Sequence, residues 1–143
     1  MKRFLVLFLV VISLCSFTHS EKVKPFNIVG KWENTGKDDK DSGFIFDAEG
    51  YVYMYKSAQK IGGKNFSSGG AKGVMKYVFD KKSNPNKLDL VISITSPVQQ
   101  TKRAFMLVKV IDENTINVAA GNDENVRPTG FTKANSITYK RVK

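Results

Sequence analysis

Cysteine and histidine are nearly absent from this sequence, which contains one of each, Cys15 and His19. Both lie in an N-terminal segment that is predicted to be removed, so the remaining chain has neither. Without them there is no disulfide, no thiolate or imidazole nucleophile, and no ordinary zinc or haem site. Most acidic residues fall in predicted turns, so no carboxylate pair for acid–base catalysis stands out. We therefore expect a protein that is not an enzyme and that uses no metal and no cofactor.

The N-terminal segment has the pattern of a secretory signal peptide. Lys2 and Arg3 precede an unbroken apolar run at residues 4–14. The run is too short to anchor the chain across a bilayer, and small residues stand before a cut at Ser20-Glu21. The sequence thus predicts a secreted or periplasmic protein.

Residues 1–20 are accordingly assigned to the signal peptide, and residues 21–143 to one domain. No second apolar segment approaches the length of a transmembrane helix, so a protein that does not span the membrane is expected. Cleavage as a lipoprotein before Cys15 is disfavoured, because Leu14 would precede the cut where such sites need a small residue.

Acidic residues are few relative to basic ones: 13 Asp and Glu stand against 23 Lys and Arg, a formal net charge of +10. Lys2 and Arg3 of the predicted signal peptide account for two of these charges. The lysines are scattered singly and form no lysine-arginine stripe, so nucleic acid is not an expected partner. An anionic envelope component or an acidic protein is favoured instead, and a monomer is expected.

Helical periodicity is also absent, and short strands separated by turns take its place. Strands are predicted around Trp32 and at residues 42–46, 51–56, 75–79, 88–94, 102–111, 115–120 and 135–142. Turns of hairpin length join most of them. This pattern predicts an all-β chain that forms a single antiparallel up-and-down β-barrel of about eight strands, closed so that no edge is bare.

Residues 47–50 fit a type I turn with Gly50 in the left-handed conformation. With Gly50 as a bulge, one apolar face combines Phe44, Phe46, Val52 and Met54, and the tyrosines at 51, 53 and 55 take the other face. A two-residue turn would reverse this assignment.

Residues 61–73 are rich in glycine and are expected to form a mobile loop at the barrel rim, although residues 64–66 could pair briefly. They do not match a phosphate-binding loop, because no Ser or Thr follows Gly63-Lys64. The acidic segments 38–41 and 122–125 are interpreted as solvated turns rather than calcium sites.

Gly30-x-Trp32 on the first predicted strand and Arg141 on the last resemble the pairing that marks lipocalin-type (calycin) barrels. The segments 46–52 and 127–131 are similar to those of small bacterial lipocalin-like domains, many of which have no assigned activity. The resemblance implies that Gly30, Trp32 and Arg141 close one end of the barrel. A guanidinium on an indole face contributes about 1–2 kcal/mol when desolvated, which gives the pairing a physical reason.

These features predict an exported, non-catalytic binding protein for a small hydrophobic or amphipathic ligand in the barrel mouth. The inward candidates for ligand contact are Phe44, Phe46, Val52, Met54, Met75, Tyr77 and Phe79. The alternative is a basic protein that binds or inhibits a macromolecular partner through its outer face and the tyrosine stripe. Those tyrosines can equally pack against long side chains on the sheet exterior.

Overall fold

The computed structural model describes residues 24–37, 39–123 and 125–143. The predicted signal peptide lies outside these residues, and so do Cys15 and His19. None of the described segments forms a helix with the length and apolar character needed to cross a membrane. The described residues form ten strands: β1 Gly30–Asn34, β2 Ser42–Phe46, β3 Val52–Lys56, β4 Gln59–Gly62, β5 Phe66–Ser68, β6 Ala71–Asp80, β7 Asn86–Ser96, β8 Gln100–Asp112, β9 Thr115–Ala120 and β10 Ser136–Arg141.

All ten strands belong to one antiparallel sheet, in the order β4-β3-β2-β1-β10-β9-β8-β7-β6-β5. Paired strands are neighbours in the chain except at one place, where β1 pairs with β10. The predicted all-β fold with a single antiparallel up-and-down barrel is confirmed. The predicted number of about eight strands is corrected to ten, because β4 and β5 form within and beside the glycine-rich segment.

The barrel is nearly closed between β3 and β6. Tyr51 forms an isolated antiparallel bridge with Lys76. Gly63 connects the same two strands, since its N–H donates to Val52 O over 2.8 Å and its C=O accepts from Met75 N over 2.9 Å. Beyond these bonds β3 continues beside β4 and β6 beside β5, and no ladder joins β4 to β5 among the described strands. We call this gap the seam.

The hairpin of β2 and β3 has the register that its turn predicts. Phe44 lies opposite Met54 and Phe46 opposite Val52, and Gly50 has a φ of 90°. The Asp47 carboxylate holds the turn by accepting hydrogen bonds from two backbone N–H groups. The prediction of which side chains share a face is therefore confirmed.

The interpretation of residues 61–73 as a loop is wrong, because strands occupy much of the segment and Gly63 and Gly73 let rings approach the backbone closely. A Cβ on Gly73 would lie 2.9 Å from the Phe66 ring, and a Cβ on Gly63 would overlap the Tyr53 ring. Glycine in a strand often marks such a close approach. The segment instead contains the end of β4, all of β5 and the start of β6.

The core lies inside the barrel and is built from the inward residues of nearly every strand. Small barrels of this kind are filled by their own side chains. The buried cluster consists of Ile28, Trp32, Phe46, Val52, Met75, Leu88, Leu90, Met106, Val108, Ile116, Val118 and Tyr139.

Candidate functional site

One end of the barrel is sealed by Trp32, whose side chain is fully buried. The guanidinium carbon of Arg141 lies 4.2 Å from the centre of the indole. Arg141 also donates to Val29 O over 2.6 Å, to Asn27 O over 2.7 Å and to Glu113 O over 3.1 Å. The indole N–H donates to a backbone carbonyl in turn. Arg141 thus ties the N-terminal segment to the last strand.

Gly30 makes room for this arrangement. Its φ is 135°, and a Cβ at this position would lie 2.7 Å from Nη1 of Arg141. Partial burial lowers the pKa of the Arg141 guanidinium, and the Glu113 carboxylate opposes that shift. The three residues that the family resemblance singles out therefore form one contact network.

Two of the seven predicted ligand residues, Tyr77 and Phe79, lie towards this sealed end. Phe79 packs edge-on against Phe26 at 5.9 Å between ring centres, and Phe26 in turn lies beside Trp32. The Tyr77 hydroxyl donates to Asp47 O over 2.9 Å. Both side chains therefore take part in the packing and hydrogen bonding of the barrel.

Three further candidates form the packed middle of the barrel. Phe46, Val52 and Met75 are 1%, 0% and 2% exposed. The Phe46 ring makes a T-shaped contact with Tyr77 at 4.9 Å. A ligand can reach these three side chains only by displacing core packing.

The remaining two candidates are Phe44, whose ring packs against Phe46 and Tyr139 at 5.6 and 5.3 Å between ring centres, and Met54, which lies towards the opposite, open end. They are half-buried and lie in one row with Ile61, because Phe44 pairs with Met54 and Met54 pairs with Ile61. Across the seam, Phe66 on β5 is a half-buried side chain that packs against the buried cluster. The sequence analysis missed Ile61 and Phe66 because they fall in the segment that it interpreted as a loop.

A groove of about 480 Å³ runs along the seam at this open end. Its apolar floor is Met54 and Ile61, both half-buried, and its exposed rim carries hydroxyl, amide and ammonium groups. The lining residues are Met54, Tyr55, Lys56, Gln59, Lys60, Ile61, Ser67 and Ser68.

The two lysines of the groove differ in their partners. Lys56 forms a 2.9 Å ion pair with Asp39, and this hydrogen bond raises the pKa of the Lys56 ammonium. The Lys60 ammonium instead lies 4.8 Å from the centre of the Tyr53 ring, and no ion pair of Lys60 is found among the described residues. Of the two lysines that line the groove, Lys60 is therefore the one whose charge no carboxylate neutralises among the described residues.

The tyrosine stripe lies on the outer face, as the hairpin register requires. Its rings pack against lysine side chains, which agrees with one of the two interpretations of the sequence. Tyr55 also donates to Trp32 O over 3.2 Å. Gly43 leaves space for this, because a Cβ there would overlap the Trp32 carbonyl.

Arg127 and Asp89 form an ion pair that the sequence analysis did not anticipate. Arg127 also donates to Met106 O over 2.6 Å and stacks 5.0 Å above the centre of the Phe105 ring. These contacts hold the loop between β9 and β10 against β8, where the outward side chain of Leu107 is buried. An arginine in a predicted loop gives no local signal of this role.

Within the described residues, no group of three or more His, Cys, Asp or Glu side chains is arranged to hold a metal ion. The acidic turns 38–41 and 122–125 include Asp38 and Glu124, and these two residues lie outside the described part of the chain. Comparisons of this chain with protein-family models, curated proteins and solved structures found no match.

Proposed function

We propose that this protein is an exported, non-catalytic binding protein that takes a small amphipathic anion in the groove at the seam. The observation that carries the proposal is that Met54, Ile61 and Lys60 line one groove of about 480 Å³. This volume is in the range of small-molecule sites, which combine an apolar lining with a few polar groups that fix orientation.

The chemistry of the groove favours an amphipathic anion over a purely apolar molecule. An alkyl chain would lie on the Met54 and Ile61 side chains, and an acidic head group would meet Lys60. The hydroxyls of Ser67 and Ser68 can donate to the same head group. Each buried methylene of the ligand contributes about 0.8 kcal/mol, so chain length should control affinity.

Three further parts of the proposal have separate support. The absence of cysteine and histidine from residues 21–143 supports a role without catalysis. The leader pattern of residues 1–20 supports export. The stacking of Arg141 on Trp32 supports a lipocalin-type barrel.

The test is thermal unfolding of residues 21–143 with straight-chain carboxylates of 8 to 16 carbons and with the matching neutral alcohols. A ligand at about 100 times its Kd stabilises the folded state by about 2.7 kcal/mol, which corresponds to roughly 10 °C in Tm for a chain of this size. We expect carboxylates to raise Tm more than alcohols of equal length. A panel in which no ligand raises Tm would contradict the proposal.

Two substitutions locate the site. Ile61→Gln places an amide on the groove floor and should weaken carboxylate binding about tenfold. Ile111→Gln is the matched control, because Ile111 is 56% exposed near the sealed end of β8. Lys60→Gln should remove the preference for carboxylates and leave alcohol binding unchanged. Equal weakening by the Ile61 and Ile111 substitutions would place the ligand elsewhere.

A further inference from the structure

The outer face of the barrel carries a row of cations that crosses the strands. Tyr51, the residue before β3, bridges to Lys76 on β6, and Lys76 is followed by its successive partners Val91 on β7 and Arg103 on β8. Directly paired residues of antiparallel strands share a face, and Met75 next to Lys76 points into the core. The Lys76 and Arg103 side chains therefore project outward. Because β7 lies between β6 and β8, and adjacent strands are about 4.8 Å apart, the Cα atoms of Lys76 and Arg103 are separated by about 10 Å.

The same row continues onto the tyrosine stripe, where each ring carries at least one lysine ammonium. The Lys60 ammonium lies 4.8 Å from the centre of Tyr53, and those of Lys64 and Lys76 lie 5.4 Å from the centre of Tyr51. Such contacts contribute about 0.5–1 kcal/mol at exposed sites. They hold flexible side chains against the sheet, so less side-chain entropy remains to be lost on binding. We call the whole set the basic band: Lys31, Tyr51, Tyr53, Tyr55, Lys60, Lys64, Lys76 and Arg103.

Few carboxylates neutralise the band. Glu49 pairs with Lys64, while Lys31, Lys60 and Lys76 have no ion pair within the part of the chain that the structure describes. The carboxylate paired with Arg103 is 4.0 Å away and also binds Arg127.

Acidic neighbours are present at one end of the band. Glu33 and Asp41 lie close enough to Tyr55 to raise its pKa, although burial is the larger cause of that shift. Glu33 and Asp41 therefore offset part of the positive charge at this end of the band, and Lys60 and Lys76 remain without an ion pair among the described residues.

We infer that the basic band binds a linear acidic polysaccharide, one that carries a carboxylate on alternate sugars and runs across the strands. Charge complementarity is the first argument, since the band is cationic on a chain of formal charge +10. The second is spacing: basic residues whose Cα atoms lie about 10 Å apart suit a polymer with one acidic group per disaccharide better than a polymer with closely spaced charges. Duplex DNA carries one charge per about 1.7 Å and is far denser.

The shape of the band favours a flexible chain over a flat membrane. Six of its members lie on β1, β3, β4, β6 and β8, and Tyr51 and Lys64 lie in the turns before β3 and after β4. The path from β1 to β8 by way of β3 and β6 takes up more than half of the barrel. A planar bilayer cannot touch both Lys31 and Arg103 on such a convex surface. A flexible polymer can follow it.

The experiment measures binding of residues 21–143 to hyaluronan, an alternating uronic-acid polysaccharide, by titration calorimetry between 50 and 300 mM NaCl. The band variant is Lys76→Gln with Arg103→Gln, which leaves the groove of the proposed function intact. The control variant is Lys81→Gln with Lys109→Gln, which removes the same charge from exposed positions outside the band. All four positions are exposed, so each variant should keep the parent Tm.

We expect the band variant to bind at least tenfold more weakly and the control variant to change by less than twofold. Added salt should weaken the binding of the band variant less than that of the parent and of the control variant, because two cation–carboxylate contacts that salt screens are lost. The single substitution Arg103→Gln leaves the contact between Lys76 and Tyr51 in place and should cause an intermediate loss of affinity. It replaces the double variant in the experiment if the double variant unfolds.

Three results would overturn the inference. The first is equal weakening by the band and control variants, which would indicate attraction by net charge alone. The second is tighter binding to vesicles with 30% anionic lipid, or to single-stranded DNA, than to hyaluronan at the same salt. The third is no binding at 50 mM NaCl.

Discussion

Replacing Arg141 tests whether a planar guanidinium, rather than a positive charge, closes the barrel. The side chain makes three hydrogen bonds to backbone carbonyls and one stacking contact with Trp32. A lysine keeps the charge but has a compact ammonium that cannot span all three carbonyls. Arg141→Lys and Arg141→Ala therefore separate geometry from charge.

The contacts give an estimate of the cost. The partly buried bond to Val29 O is charge-assisted and contributes about 1.5 kcal/mol. The two exposed bonds contribute about 0.5 kcal/mol each, and the stacking on Trp32 about 1 kcal/mol. Arg141→Ala should thus lower the free energy of unfolding by about 3–4 kcal/mol, and Arg141→Lys by about 2 kcal/mol. Domains of this size have about 6–18 kcal/mol in total.

Urea unfolding followed by tryptophan fluorescence is the assay, because Trp32 is the only tryptophan and lies directly under the substituted residue. Its fully buried indole becomes exposed on unfolding, which gives a large change in emission. Lys140→Ala, an exposed position on the same strand, is the control and should cost less than about 0.5 kcal/mol. The reasoning is refuted if Arg141→Lys has the same free energy of unfolding as the parent, or if Arg141→Ala lowers that free energy no more than Lys140→Ala does.

Two further predictions concern Tyr139 and the Asp89–Arg127 pair. Burial raises the pKa of Tyr139 to about 12, so its phenol stays protonated in the folded state and ionises near pH 10 when unfolded. Stability should fall between pH 10 and 12, and Tyr139→Phe should remove up to about 3 kcal/mol of that fall in urea titrations; an identical pH profile would contradict this. Asp89→Asn should speed hydrogen exchange of residues 121–130 about tenfold relative to β1–β3, and unchanged protection would contradict it.

The hairpin of β2 and β3 was predictable to the register because its signal is local. Asp47 and Gly50 define the turn, and the turn length decides which of Phe44 and Tyr51 faces inward. The prediction for the glycine-rich segment at residues 61–73 failed because its signal is not local. Glycine occurs both in flexible segments and where another group must approach the backbone closely. Which of the two applies depends here on the Phe66 and Tyr53 rings, whose positions are set by tertiary packing.

The sequence was enough to predict that the ligand candidates face the barrel interior, but not how far each one lies from the open end. Alternation places Met54, Phe46 and Tyr77 on the inside. Their height along the barrel depends on the stagger between strands, which no single strand encodes. The Asp89–Arg127 pair joins residues 38 positions apart and has no sequence signature for the same reason.

The pairing of β1 with β10 has a consequence for how the chain folds. Every other ladder joins strands that follow each other closely, so those hairpins can form early from local segments. The bond from Arg141 to Val29 closes a loop of 112 residues, whose entropic cost is met only once both ends are present. We therefore expect barrel closure to be the last step in the order of assembly. A circular permutant that links residue 143 to residue 24 and opens the β7–β8 turn would make this contact local and fold faster.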